Sequence, residues 1–340
     1  MTLDDSAMDI AMDDYTRSCD AADRNEHPSV VLRDLATRRR PHGHVIAFAN
    51  EKGGVGKSTL AFHCAMALAQ LDLRVLVIDC DRRQQTLHRL LEARDGTVRA
   101  LKVELPQPRH VVLDQQSGAL LSQEIERVGG NCDFVLLDLA GHDSPLARRA
   151  IALADTVVTP INCSPTDLDA LGRINAVSRR FREAGPFAAI VTALRDERIA
   201  RGLAPFDWIV AKNRVRRCEH RLLASIDQNL ATMARHLGFR TIDGLTERVS
   251  YRELMPFGLT QLDLKLIPGL PPARSANLRE LRQLIEGLRL PRPRPAAPPR
   301  RAARESAPTL ARTAQSYREA VSAATPARMQ VDPATAVALA

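Results

Sequence analysis

Two lysines, a serine and three aspartates stand where they could act together on a phosphate chain. The run Asn50-Glu51-Lys52-Gly53-Gly54-Val55-Gly56-Lys57-Ser58-Thr59 follows the apolar residues 45–49 directly. Without side chains at Gly53, Gly54 and Gly56, backbone N–H groups of residues 53–56 can converge on phosphate oxygens. Lys57 then supplies a point charge to the β- and γ-phosphates, and the Ser58 hydroxyl completes a Mg²⁺ shell. Further on, Asp79 closes the apolar run 75–78, and Asp81 follows two residues later. Alternation along an extended chain puts both on one side. Asp138 closes the run 134–137, where a carboxylate holds Mg²⁺ directly or through water. The chemistry implied is hydrolysis of a nucleoside triphosphate, with Asp138 and Asp79 supporting the ion and Asp81 positioning the attacking water. Such a transfer needs little covalent help, so placement and electrostatics account for most of the rate.

These groups require strands that deliver them to one edge and a helix behind the glycines. The unbroken apolar runs at 45–49, 75–78 and 134–137 suit strands buried on both faces, and residues 156–161, 188–192 and 208–211 are further candidates. Leu60, Cys64, Ala67 or Leu68, and Leu71 recur at helical spacing after the glycine-rich turn. Leu168, Leu171, Val177 and Phe181 trace a second helix face, and Leu222, Ile226, Leu230 and Met233 a third. The expected fold is therefore an α/β P-loop NTPase, a mostly parallel twisted sheet with helices on both faces. Ligand should bind at the carboxyl ends of the strands.

Composition sets the limits. The 340 residues are 45% hydrophobic but only 4% aromatic, too few rings for stacking platforms along single-stranded nucleic acid. A formal charge of +8 suits polyanions, as would any arginine-rich surface. The six cysteines form no C-x-x-C pair and the nine histidines no ligand spacing, which points to reduced thiols in a cytosol and no zinc site. No apolar run reaches membrane-spanning length. Residues 1–42, acidic and then basic, read as a disordered extension. Residues 43–290 form the catalytic domain, and 291–340 form a disordered Pro/Ala/Arg-rich tail.

The form Lys-Gly-Gly-Val-Gly-Lys-Ser resembles the deviant Walker A motif of the ParA/MinD ATPases, and two longer stretches narrow the likeness. Asp207-Trp208-Ile209-Val210 with Lys212-Asn213-Arg214, and the run from Arg248 to Thr260, resemble the MipZ family of division-plane positioning ATPases. The resemblance implies an ATP- and Mg²⁺-dependent homodimer in which Lys52 reaches the partner's nucleotide, while Asn213 and Arg214 contact adenine. It also implies non-specific DNA binding, inhibition of FtsZ assembly and recruitment by ParB. Slow hydrolysis would reset the dimer. The protein would be cytoplasmic and nucleoid-associated, enriched toward the poles, with no membrane contact. Arg195, Arg198, Arg201, Lys212, Arg216, Arg217 and Arg221 are the candidate DNA contacts, although the interleaved acids also fit a salt-bridged surface. A partition ATPase of the ParA type is the alternative. Leu139-Ala140 replaces the family's Thr-Pro after the Walker B acid, which is expected to alter the γ-phosphate switch loop.

Overall fold

The apolar runs become the centre of a parallel sheet because each strand alternates its residues between two helix layers. The computed structural model describes residues 27–292 apart from 114, 116, 176 and 216–219. Seven strands form the main sheet: β1 (His44–Phe48), β2 (Val75–Asp79), β3 (Arg109–Val112), β4 (Phe134–Asp138), β5 (Thr156–Asn162), β8 (Asp207–Asn213) and β9 (Arg240–Asp243). Their order is β3-β2-β4-β1-β5-β8-β9, with every pairing parallel. A smaller antiparallel pair, β6 (Gly172–Ile174) and β7 (Phe181–Ala184), stands apart.

The alternation can be followed residue by residue. Ile46, Phe48, Val75, Val77, Phe134 and Leu136 pack on one layer. Val45, Ala47, Leu76, Ile78, Val135 and Leu137 pack on the other. On the first side lies α2 (Lys57–Ala69), buried almost all round, between the sheet and α10 (Ser275–Leu288). α3 (Thr86–Leu101) flanks it. The second side carries α4 (Gly118–Gly129), α5 (Pro145–Leu153), α7 (Pro186–Ala200) and α8 (His220–Leu237). Short helices α6 (Pro165–Leu168) and α9 (Val249–Leu254) and a 3-10 turn at Met255–Phe257 complete the set.

Three expectations are corrected. Residues 188–192 form no strand; they lie inside α7, which Pro186 opens at its first turn. Phe187, Val191 and Leu194 are that helix's buried stripe. Leu168, Leu171, Val177 and Phe181 do not share a helix, because the chain turns back at Asn175, whose side-chain oxygen accepts from the Val177 and Ser178 amides. The result is the β6–β7 hairpin. Finally, part of the stretch 1–42 is ordered: Pro28–Ala36 forms α1, with Val31 and Leu32 buried in the second layer. Of residues 291–340, assigned as a tail, only 291 and 292 are among the described residues. Among the described residues no helix is long and apolar enough to cross a membrane.

Candidate nucleotide site

The loop between β1 and α2 lies at the carboxyl edge of the sheet, flanked by β4 and β5 on either side of β1. Gly56 caps α2 with φ +91°, a left-handed conformation that L side chains rarely adopt, and a Cβ there would strike the Asn213 amide. Over Gly53 and Gly54 there is open space. An open cleft of about 420 Å³ runs past Gly53, Lys57, Ser58, Asp81, His142 and Arg214.

Lys57 is buried at 8% exposure, and its ammonium donates to the Lys52 carbonyl at 3.1 Å. Burial lowers its pKa, while the carboxylates of Asp138 and Asp81 pull it back up. The β2–β4 register sets Asp79 beside Asp138. Both oxygens of Asp138 are buried without a hydrogen-bond partner. Its pKa is pushed up to about 8, first by burial and then by Asp79 and Asp81 against Ser58 and Lys57. The Ser58 hydroxyl stands near enough to ease that charge without reaching hydrogen-bond geometry. A carboxylate buried with two open oxygens beside a serine and a lysine fits a hard divalent cation, so Ser58 and Asp138 would hold it.

Asp79 is differently occupied. Its oxygens accept from the Asp81 amide at 2.9 Å and the His88 amide at 3.0 Å, tying the end of β2 to the start of α3. Asp79 therefore fixes the local chain, while Asp81 lines the cleft. One Asp81 oxygen accepts from the amides of Arg83 and Gln84, which fixes the turn it sits on. After β4, Leu139 and Ala140 are buried, and Gly141 passes so close that a Cβ would lie 3.3 Å from the Lys57 ammonium. That approach, invisible as a motif, is marked in the sequence only by the glycine.

Asn213 is wholly buried, donating to the Val55 carbonyl at 2.9 Å and accepting from the Leu245 amide at 3.2 Å. Its side chain clamps the glycine loop to the end of β8. Arg214 donates to the Gly54 carbonyl at 2.8 Å from the cleft wall. Lys52, the extra lysine, pairs with the buried carboxylate of Asp167 and donates to the Thr166 hydroxyl at 3.2 Å.

A model of the MipZ ATPases matches residues 44–292. The chain belongs to the MipZ ATPase family. It is 30% identical over 168 residues to the chromosome partitioning protein ParA of Caulobacter vibrioides, covering 41% of this chain and 63% of that protein. To the chromosome-partitioning ATPase Soj of Thermus thermophilus it is 31% identical, covering 40% and 62%. The chain thus spans somewhat under two thirds of the curated relatives' length. In fold it is similar to apo McdA of Cyanothece, with a TM-score of 0.50 and 15% identity over 73% of this chain and 98% of that one.

Lys52 and Asp138 both lie within the range that the MipZ family model matches. The basic cluster, in contrast, does not form one exposed face. Arg198 is 2% exposed and donates to the carbonyls of Ala152, Ala154 and Ala204, so no phosphate reaches it. Arg195 donates to the Leu237 and Gly238 carbonyls at the end of α8. Lys212 is held between Asp227 and Asp243, and Arg201 pairs with Glu197 and donates to the Ser29 carbonyl. Arg198 is thus buried, and the other three are engaged by neighbours within the chain, Arg201 at an exposed position. Arg216 and Arg217 lie outside the described residues, as does the side chain of Arg221.

Proposed function

We propose that this MipZ-family ATPase is a nucleotide-timed switch. ATP drives homodimerisation, the dimer binds DNA without sequence preference and inhibits FtsZ assembly, and slow hydrolysis returns it to monomers recruited by ParB. The observation that carries the reading is the buried, unpartnered Asp138 carboxylate facing Ser58 and Lys57. It stands behind a glycine loop that also bears Lys52.

Bound Mg²⁺ would neutralise charge developing on the β- and γ-phosphate oxygens. Lys57 sits where it can shift from the Lys52 carbonyl to a γ-phosphate oxygen, and the amides of residues 53–56 would donate to the oxygens of the phosphate chain. Asp81 orients the attacking water from its fixed turn. Asn213 keeps the loop in place, and Arg214 would line the base and ribose end. Lys52 must exchange Asp167 for the partner's nucleotide, which ties turnover to association. In the cell such a protein would be cytoplasmic and nucleoid-bound, enriched toward the poles.

FtsZ polymer sedimentation tests the reading. Purified FtsZ is pelleted with and without this protein and ATP, alongside the Asp81→Ala variant, which should remain a dimer. Less polymer only with nucleotide-loaded protein supports division control. Unchanged polymer with the dimer present shifts the assignment to a partition ATPase of the ParA type, in keeping with the partitioning relatives.

A further inference from the structure

The β6–β7 hairpin carries a cluster of exposed cationic side chains. Arg179, Arg180 and Arg182 are all exposed, and none of them forms an ion pair among the described residues. The remaining hairpin arginine, Arg173, is paired with Glu183 at 3.0 Å. Val177, beside the turn, is 94% exposed. A two-stranded ribbon of this length is marginal alone, and this one is anchored through Phe181, whose ring stacks on His236 of α8 at 4.8 Å between centroids. Arg235, the residue before His236 on α8, is also exposed. The arm also starts at Gly172, just beyond the turn whose Thr166 and Asp167 hold Lys52.

We infer that this hairpin is the protein's duplex DNA contact, with Arg179, Arg180 and Arg182 on backbone phosphates and Arg235 flanking them. The inference rests on the DNA-binding part of the function proposed above and gives it a location that the buried or paired Arg195, Arg198, Arg201 and Lys212 do not supply. A two-stranded ribbon fits the width of a DNA groove, and guanidinium forks match phosphate oxygens. Charge alone can protect a ribbon's edge from pairing with another chain, but that role accepts acids and bases equally. Three exposed arginines with no ion pair among the described residues, Arg179 donating only to the Asn229 amide oxygen at 3.4 Å, favour a polyanion. The contact reads phosphate, so it carries no sequence preference.

The test is fluorescence anisotropy of a labelled duplex with the full chain in ATP and Mg²⁺, across a salt series. The combined variant Arg179→Gln, Arg180→Gln, Arg182→Gln should bind about tenfold or more weakly. Its log K against log salt slope should be shallower by about 2.7 per protomer, for three lost phosphate contacts. GC-rich and AT-rich duplexes should suffer alike. Arg173→Gln, already paired, should stay near the wild type, and the triple arginine-to-lysine variant should keep the wild-type slope; it also serves if the glutamine variant melts early by circular dichroism. Wild-type affinity and slope in the glutamine variant would overturn the hairpin assignment while leaving DNA binding intact. A wild-type chain that fails to bind duplex at low salt would overturn both. Loss of binding to phosphatidylglycerol vesicles, with duplex binding kept, would overturn the assignment in favour of a membrane surface.

Discussion

Asp138 shows how the site stores binding capacity at the expense of the empty fold. Its carboxyl is buried with both oxygens unpartnered and a pKa near 8, so ionising it costs stability. The sign follows from the order of ionisation. The unfolded chain loses this proton near its ordinary value, the folded chain only near 8, so the group's contribution to stability falls as pH rises between those limits. Asp138→Asn should therefore melt higher than the wild type above pH 8 without ligand, yet lose the stabilisation that Mg²⁺ adds to ATP. Differential scanning fluorimetry with ATP, with and without Mg²⁺, reads both effects. His63 works in the opposite direction. It is fully buried, its Nδ1 against the Thr59 carbonyl and its ring on Tyr251, and burial lowers its pKa. Below about pH 6.5 the unfolded chain takes up the proton that the folded site resists, so stability is lost as pH falls. His63→Gln should be less stable overall but should lose less melting temperature between pH 7 and about 5.

At the scale of elements, the stretch following α9 is fastened to α3 by one buried pair. Arg94 is 1% exposed and Asp263 not at all; they share two contacts, of 2.7 and 3.0 Å, and Arg94 also donates to the Gly258 and Pro106 carbonyls. Asp263 in turn accepts from the Thr260 amide and hydroxyl. Removing one partner strands the other charge, so Asp263→Ala should cost about 3–5 kcal/mol. Replacing both with apolar residues (Arg94→Met with Asp263→Leu) should cost much less. Urea unfolding of the two variants distinguishes a stranded charge from a lost packing contact. The same scale explains the misread segments. Buried strands β1, β2, β4, β5 and β8 announce themselves as apolar runs, whereas edge strands β3 (Arg-His-Val-Val) and β9 (Arg-Thr-Ile-Asp) are partly exposed and mix polar with apolar residues. Each has at most two apolar residues in a row, too few to stand out as a run. Residues 188–192 have the apolar density of a strand, and only Pro186 at a helix start decided otherwise.

For the whole molecule, the parallel order places the glycine loop, both strand-end acids and the Lys52 clasp along one sheet edge. In this fold Lys52 is engaged within its own chain, by Asp167 and Thr166. Lys52→Ala should retain ATP binding within about threefold, since the charge on the bound phosphates in one chain comes from Lys57, but should fail to dimerise. Light scattering after gel filtration in ATP and Mg²⁺ measures mass directly. A dimer peak in that variant would remove the role across the interface.

Read as a chain, the residues determine a great deal: the glycine-rich loop, the Asp138 position and the layered parallel fold follow from local runs and spacing, and the family from the likeness of longer stretches. Those features depend on contacts a few residues long, or on alternation along one strand, and such periodicities survive in sequence. The tertiary structure decided what each remaining polar group is used for. Asn213 clamps the loop, Asp79 secures the start of α3, Arg198 is spent on three buried carbonyls, and the hairpin arginines are left facing solvent. Whether an arginine meets water or a carbonyl depends on chain segments tens of residues away, and long-range packing of that kind leaves no local spacing to read.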